Sequence, residues 1–180
     1  MTLNDIIVSA LAQLDRGHDA QTMDIWRDKF TRFANDAIID ICTAYQPRRT
    51  DKINSIDGTF TTSMLQRACR KVLSVKRNGK EERFFDGDSS EVIVTEGGPG
   101  EIQVTYRCVP RELFSSTDEP DIPEWMHGLI VSYVVGRERA AGDVSRQKGG
   151  NIYFQMYEAG KAAIRPHLGG ADSQRIVNRW

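Results

Sequence analysis

The sequence has no apolar stretch long enough to cross a membrane, since no window approaches the ~18 consecutive apolar residues that a spanning helix needs. Its first residues, 1–5, place no basic segment ahead of an apolar run, so we expect no signal peptide. Only three cysteines occur, Cys42, Cys69 and Cys108, and they are odd in number and far apart. These features predict reduced thiols in a cytoplasmic protein without a membrane partner.

Motifs for catalysis, metal binding or cofactor binding are also missing. His18, His127 and His167 lie in separate elements without a cysteine or carboxylate at metal-ligand spacing. The glycine-rich segment 97–100 lacks the Lys-Ser/Thr of a phosphate-binding loop, and no serine, cysteine or threonine has a nucleophile-elbow context. The net charge of −1 draws the chain to neither nucleic acid nor membrane as a whole. We therefore predict no catalytic residues, metal or cofactor, and a protein that is not an enzyme.

The strongest pattern that is present runs from Thr22 to Tyr45. Its apolar residues recur at spacings of one, three and four, which predicts an amphipathic helix with one continuous apolar stripe. Pro47 ends it, because the residue before a proline is pushed out of the helical region. The stripe residues are Trp26, Phe30, Phe33, Ala34, Ala37, Ile38, Ile41 and Tyr45.

Three further helices are predicted from similar stripes. The first covers 2–14 and begins with Thr2 and Asp5 at the spacing of a capping box. The third begins at Pro123, whose fixed φ suits the first helical position, and fades by residue 142. A polar loop through residues 149–150 leads to the fourth, which covers 153–164. These faces are expected to bury one another in a four-helix arrangement.

Between residues 48 and 120 the pattern changes to period two, and six short strands are predicted. The clearest is 101–109, where apolar and polar residues alternate as in a half-buried antiparallel strand. The fold class is thus predicted as α+β: a four-helix bundle with an inserted small antiparallel β-subdomain and a flexible C-terminal tail. The predicted domains are 1–47 with 121–166 for the bundle, 48–120 for the β region and connector, and 167–180 for the tail.

A run of basic residues without an intervening acid lies within the β region. Such a run suits a surface near nucleic-acid phosphate, where point charges act without reading bases. A subunit interface and a solvated hairpin remain alternatives. The residues are Arg67, Arg70, Lys71, Lys76, Arg77 and Lys80.

The C-terminal segment keeps apolar residues outside any core pattern. Tryptophan and arginine are common anchors at protein interfaces, so the segment is suited to docking into a partner's groove; a disordered end is the alternative. The candidate docking residues are Arg175, Ile176, Val177, Arg179 and Trp180.

The layout resembles the head–tail connector (adaptor, or neck) proteins of tailed bacteriophages. The resemblance rests on 33–41, 104–110, 121–139 and the aromatic residues Tyr153, Phe154 and Tyr157, and it covers most of 1–165. It implies a non-enzymatic ring subunit, of about twelve copies, bound beneath the portal protein. It also implies docking on the portal through the C-terminal segment, non-specific proximity to packaged DNA, and contact with a tail or stopper protein.

The resemblance places the protein in the virion neck, and in the host cytoplasm during assembly. Two other classes stay open. A small cytoplasmic enzyme would need a pocket with convergent polar groups. A DNA-binding regulator would need a helix-turn-helix with a basic recognition helix, whereas the fourth predicted helix carries only Lys161 between Tyr153 and Ala163.

Overall fold

In a computed structural model the chain adopts an α+β fold of two compact units. The structure describes residues 1–87, 89, 91–141 and 144–167, with the backbone alone described for 144–151. The helical unit comprises Met1–Tyr45 and Val109–Arg165. The β unit comprises Gln46–Cys108 together with Pro166 and His167. No helix in these ranges is long and apolar enough to cross a membrane.

Four helices make up the helical unit across the described residues. They are α1 (Leu3–Gln13), α2 (Ala20–Tyr45), α3 (His127–Ala140) and α4 (Val144–Ala162). The capping box of α1 is present, since the Thr2 side chain accepts from the Asp5 N–H and the Asp5 carboxylate accepts from the Thr2 N–H. A 3-10 turn, Glu124–Met126, precedes α3.

The core of the helical unit forms where the predicted apolar stripes meet. Leu113, from the segment between the β unit and α3, completes this core, and its N–H and C=O both bond to the Asn35 side chain. Trp26 and Phe33 are only partly buried at its margin. The buried side chains include Leu3, Ile6, Ile7, Leu11, Phe30, Ala34, Ala37, Ile38, Ile41, Met126, Ile130, Val134 and Tyr157.

The β unit contains two antiparallel sheets. The first has four strands in the order β1-β7-β3-β4, and the second has three in the order β2-β6-β5. Type I′-like turns at Asp57-Gly58 and Asn78-Gly79 use positive φ at both positions, as the sequence of each pair allows. The strands are β1 (Arg48–Ser55), β2 (Thr59–Thr61), β3 (Cys69–Arg77), β4 (Lys80–Glu82), β5 (Phe84–Asp86), β6 (Val92–Thr95) and β7 (Gly100–Cys108).

The prediction of a four-helix bundle with a small inserted β-subdomain is wrong. Seven strands in two sheets form a unit with its own hydrophobic core, so the protein is an α+β fold in which the β unit is a major part. The physical reason is that alternate residues of strands from both sheets face inward and bury one another. The core residues are Phe60, Leu65, Val72, Val75, Ile93, Ile102, Val104 and Tyr106.

Two element predictions also differ from the structure. One of the six strands that the sequence predicts covers 80–85, but the structure divides it at Arg83, so that β4 pairs with β3 in one sheet and β5 pairs with β6 in the other. The expected loop through 149–150 is helical, because α4 begins at Val144 and packs along α3. The predicted flexible tail falls on residues 168–180, outside the described part of the chain.

Candidate interaction surfaces

The outer face of the four-stranded sheet is polar and rich in cations. Directly opposite residues of antiparallel strands point to one face, and the register aligns Arg48, Arg107 and Lys71 in one row across β1, β7 and β3. A second row carries Lys52 and Lys76 on either side of Gln103. We call Arg48, Lys52, Lys71, Lys76 and Arg107 the cationic face.

Between these two rows lies a row of hydroxyl groups. Thr50, Thr105 and Ser74 align across the same three strands, and the hydroxyls of Thr50 and Thr105 lie 3.0 Å apart. Two carboxylates share the face. Glu101 pairs with Lys52 at 3.7 Å, and both side chains are more than two-thirds exposed, so the pair neutralises little of the local potential. Glu81 lies opposite Lys76. Among the described residues, the strands therefore place five cations, two carboxylates and a row of hydroxyl groups on this face.

The row of Arg48 and Arg107 is where positive charge is most concentrated. Arg107 Nη1 donates to the backbone oxygens of Gln46 and His167, the latter at 2.9 Å. The Arg48 N–H donates to Nδ1 of His167 at 3.2 Å, which keeps that nitrogen unprotonated. Burial lowers the pKa of His167, and Arg48 and Arg107 lower it further. Burial and Arg48 likewise lower the pKa of Arg107.

The structure does not bring the six predicted basic residues together. Lys71 and Lys76 lie on the cationic face, whereas Arg77 faces the other way and pairs with Glu82 at 2.8 Å. Arg70 is the extra residue of a β-bulge after Cys69. The exposed Lys80 lies opposite Arg77 in the β3–β4 hairpin, and the Arg67 N–H bonds to the hydroxyl of Tyr106.

Sequence reasoning misses three residues of the cationic face. The alternation of 101–109 identifies Arg107 only as the polar side of a strand, and Arg48 and Lys52 lie in β1, outside the basic run that the sequence shows. A period-two pattern shows which residues share a face of one strand. It does not show which strands are neighbours, and the cationic face arises only when β7 lies between β1 and β3.

Exposed apolar side chains lie on both units. On the outer face of the three-stranded sheet, Phe85 and Val94 are register partners and are 56% and 36% exposed. Ile56, which is 65% exposed, forms an isolated β-bridge with Thr59, the first residue of β2, and Thr59 is in turn the register partner of Val94. We call Ile56, Phe85 and Val94 the apolar strip. On the helical unit, Phe114 is 77% exposed and Trp125 is 65% exposed, and we call these two the connector aromatics. Contiguous exposed apolar side chains indicate protein contact sites, and aromatic residues are enriched there.

The candidate docking residues of the C-terminal segment, 175–177 and 179–180, lie outside the residues that the structure describes. Within the part it describes, no cluster of three or more His, Cys, Asp and Glu side chains could hold a metal ion.

A scan of known protein families and a search of curated proteins find no match to this chain.

Proposed function

We propose that the protein is a structural virion protein, a ring-forming head–tail connector (adaptor) of a tailed bacteriophage. It binds beneath the portal protein, extends the DNA channel and provides the attachment surface for a tail or stopper protein. The observation that carries the proposal is the exposure of apolar side chains on both units, the apolar strip on one and the connector aromatics on the other. Each copy in a closed ring contacts its two neighbours through two different surfaces, and we assign these roles to the apolar strip and the connector aromatics.

The cationic face supports the DNA-channel part of the proposal. Its cations and hydroxyls suit phosphate oxygens, and the face is built from strand residues, without a helix that would read bases. Contact with packaged DNA would then be independent of sequence and weakened by salt. The C-terminal segment is proposed to dock on the portal, as the resemblance implies.

Assembly on tail-less heads that carry the portal and packaged DNA tests the ring. Phe85→Glu places a charge in the apolar strip and Trp125→Glu places one beside the other connector aromatic, and each variant alone should fail to form a ring. Mixed together they should form discrete pairs, because each supplies the surface that the other lacks. Gln155→Glu, an exposed charge change on α4, is the matched control and should assemble normally.

Normal ring assembly by both variants would show that these surfaces are not the subunit contact. Failure of the unaltered protein to bind such heads at all would contradict the connector function itself.

A further inference from the structure

Two of the three cysteines, far apart in the sequence, are cross-strand partners in the structure. Cys69 begins β3, Cys108 ends β7, and the register of the four-stranded sheet sets them directly opposite each other. Both are partly buried and pack against the same core of the β unit, so their side chains lie on one face of the sheet.

The backbone hydrogen bonds fix what kind of pair this is. The Cys108 N–H donates to the Pro47 carbonyl at 3.1 Å, on the β1 side of β7. The N–H and C=O of one strand residue point to the same edge, so those of Cys108 point away from β3. Cys69 and Cys108 are therefore a non-hydrogen-bonded pair, for which Cα atoms lie about 4.5 Å apart and side chains are closest. Disulfides span Cα separations of about 4.4–6.8 Å, so the strand geometry fits one.

We propose that Cys69 and Cys108 form a reversible disulfide, and that this dithiol is a modification site of the protein. The oxidant is a low-molecular-weight disulfide such as oxidised glutathione. One cysteine thiolate attacks a sulfur of that disulfide and releases one glutathione thiolate. The second cysteine then attacks the protein-side sulfur of the mixed disulfide and releases the other. The two cysteines lose two electrons, and the two thiol protons end on two molecules of reduced glutathione.

A cavity beside Cys69 gives such a reagent access. It measures about 550 Å³ and its lining includes Cys69, Arg70, Lys71 and Phe84. The lining carries two cations, Arg70 and Lys71, and two carboxylates, Asp86 and Glu91, which can pair with the carboxylates and the ammonium of glutathione respectively. Burial raises the pKa of Cys69, so the thiolate is scarce at neutral pH and the rate of oxidation rises with pH.

The bond would hold β3 to β7 at the end where the bulge interrupts their register. Its main effect on stability comes from restricting the unfolded chain between the two cysteines. Cys42 is fully buried in α2 of the other unit, so it takes no part and serves as the internal control.

The test is equilibration of the full chain in glutathione buffers at mildly alkaline pH, followed by an acid quench, alkylation under denaturing conditions and peptide mass spectrometry. In the unaltered protein two thiols should no longer be alkylated, Cys42 should still be alkylated, and one cross-linked peptide pair should contain Cys69 and Cys108. Its melting temperature should rise by roughly 5–15 °C and return when the bond is reduced. The Cys42→Ser variant should form the same cross-link and show the same rise in melting temperature as the unaltered protein. The Cys69→Ala and Cys108→Ala variants should each lose the cross-link.

Three alkylatable thiols in excess oxidised glutathione would overturn the proposal, as would a mixed disulfide that persists without resolving. A cross-link between copies rather than within one chain would overturn it as well. The unaltered protein alone decides between these outcomes, so the test holds even where a variant fails to fold.

Discussion

The hydroxyl of Tyr106 donates a 2.6 Å hydrogen bond to Oδ2 of Asp51, and both side chains are buried on the inner face of the four-stranded sheet. Asp51 also accepts from the Gln66 N–H at 2.8 Å and from Arg49 Nε at 3.0 Å. Burial opposes ionisation of Asp51, but these hydrogen bonds outweigh it and hold its pKa below the usual value. The Arg67 N–H in turn donates to the Tyr106 oxygen. This network fastens the segment after β2 to β1 and β7.

Replacing Tyr106 by Phe keeps the ring but removes the donor to Asp51 and the acceptor for Arg67. Leaving buried polar groups unsatisfied should lower the free energy of unfolding of the β unit by about 1–3 kcal/mol. Hydrogen exchange of the amides of β1 and β7 measures this change. Tyr153→Phe on α4, which keeps its ring stacked with Arg139, is the control. Equal protection of β1 and β7 in the unaltered and Tyr106→Phe proteins would contradict the role given to the network.

Phe30 and Phe33 stack on each other in α2 but differ in burial. Phe30 is fully buried, whereas Phe33 is partly buried at the core margin beneath Arg137. Phe30→Ala should therefore cost about 3–5 kcal/mol of unfolding free energy, and Phe33→Ala should cost clearly less. Urea unfolding of the two variants measures the difference. An equal or larger loss for Phe33→Ala would contradict the packing of α2.

Because His127 is buried, we expect the free energy of unfolding to fall as the pH is lowered. Its Nε2 lies 3.1 Å from the carbonyl of Ile122, and its Nδ1 lies 3.0 Å from the Met1 amino group. Burial lowers the pKa of His127, with the Met1 ammonium acting in the same direction. The unfolded chain therefore binds a proton below about pH 6.5 that the folded chain does not, and the free energy of unfolding should fall as the pH drops from there toward the lowered pKa.

Unfolding measured across this pH range should show a smaller slope in His127→Gln than in the unaltered protein. His18→Gln, at an exposed site, is the matched control. An unchanged slope in His127→Gln would mean that the imidazole does not carry the effect.

The carboxylate of Glu138, only 8% exposed, joins three elements of the helical unit. Arg16 Nη2 lies 3.0 Å from Oε1 and Lys29 Nζ lies 2.6 Å from Oε2. The Arg16 guanidinium also stacks 3.7 Å from the centre of the Trp26 ring. Arg16→Ala leaves Glu138 with one cation and uncovers the indole, so it should cost about 1–3 kcal/mol. Arg27→Ala, which breaks an exposed pair on α2, should cost under about 1 kcal/mol. Equal melting temperatures of the two variants would contradict this account.

The helices α1 and α2 could be predicted because the forces that form them act between near neighbours in the chain, whereas α3 begins at His127 rather than Pro123 and α4 at Val144 rather than 153. Thr2 and Asp5 specify where α1 begins, and the stripe ending at Tyr45 specifies the length of α2. Strand positions were also largely predictable, as the match between the expected 101–109 and β7 shows.

Strand partners were not predictable, because they depend on residues that are distant in the chain. Nothing near Arg83 shows that the chain changes sheets there, so the size of the β unit was underestimated. For the same reason the sequence did not place Arg48 beside Arg107, or Cys69 opposite Cys108. Of the candidate site, the sequence could supply Lys71 and Lys76 but not the surface that they share.

The most direct test of the connector proposal is electron microscopy of tail-less, portal-bearing heads after addition of the purified protein. The account predicts a ring of density beneath the portal of about twelve copies, with the axial DNA channel extended through it. The cationic face should lie toward DNA or a neighbouring subunit, and the apolar strip should lie against the connector aromatics of the next copy. Heads that remain bare at saturating protein concentration, or protein bound elsewhere on the capsid, would contradict it.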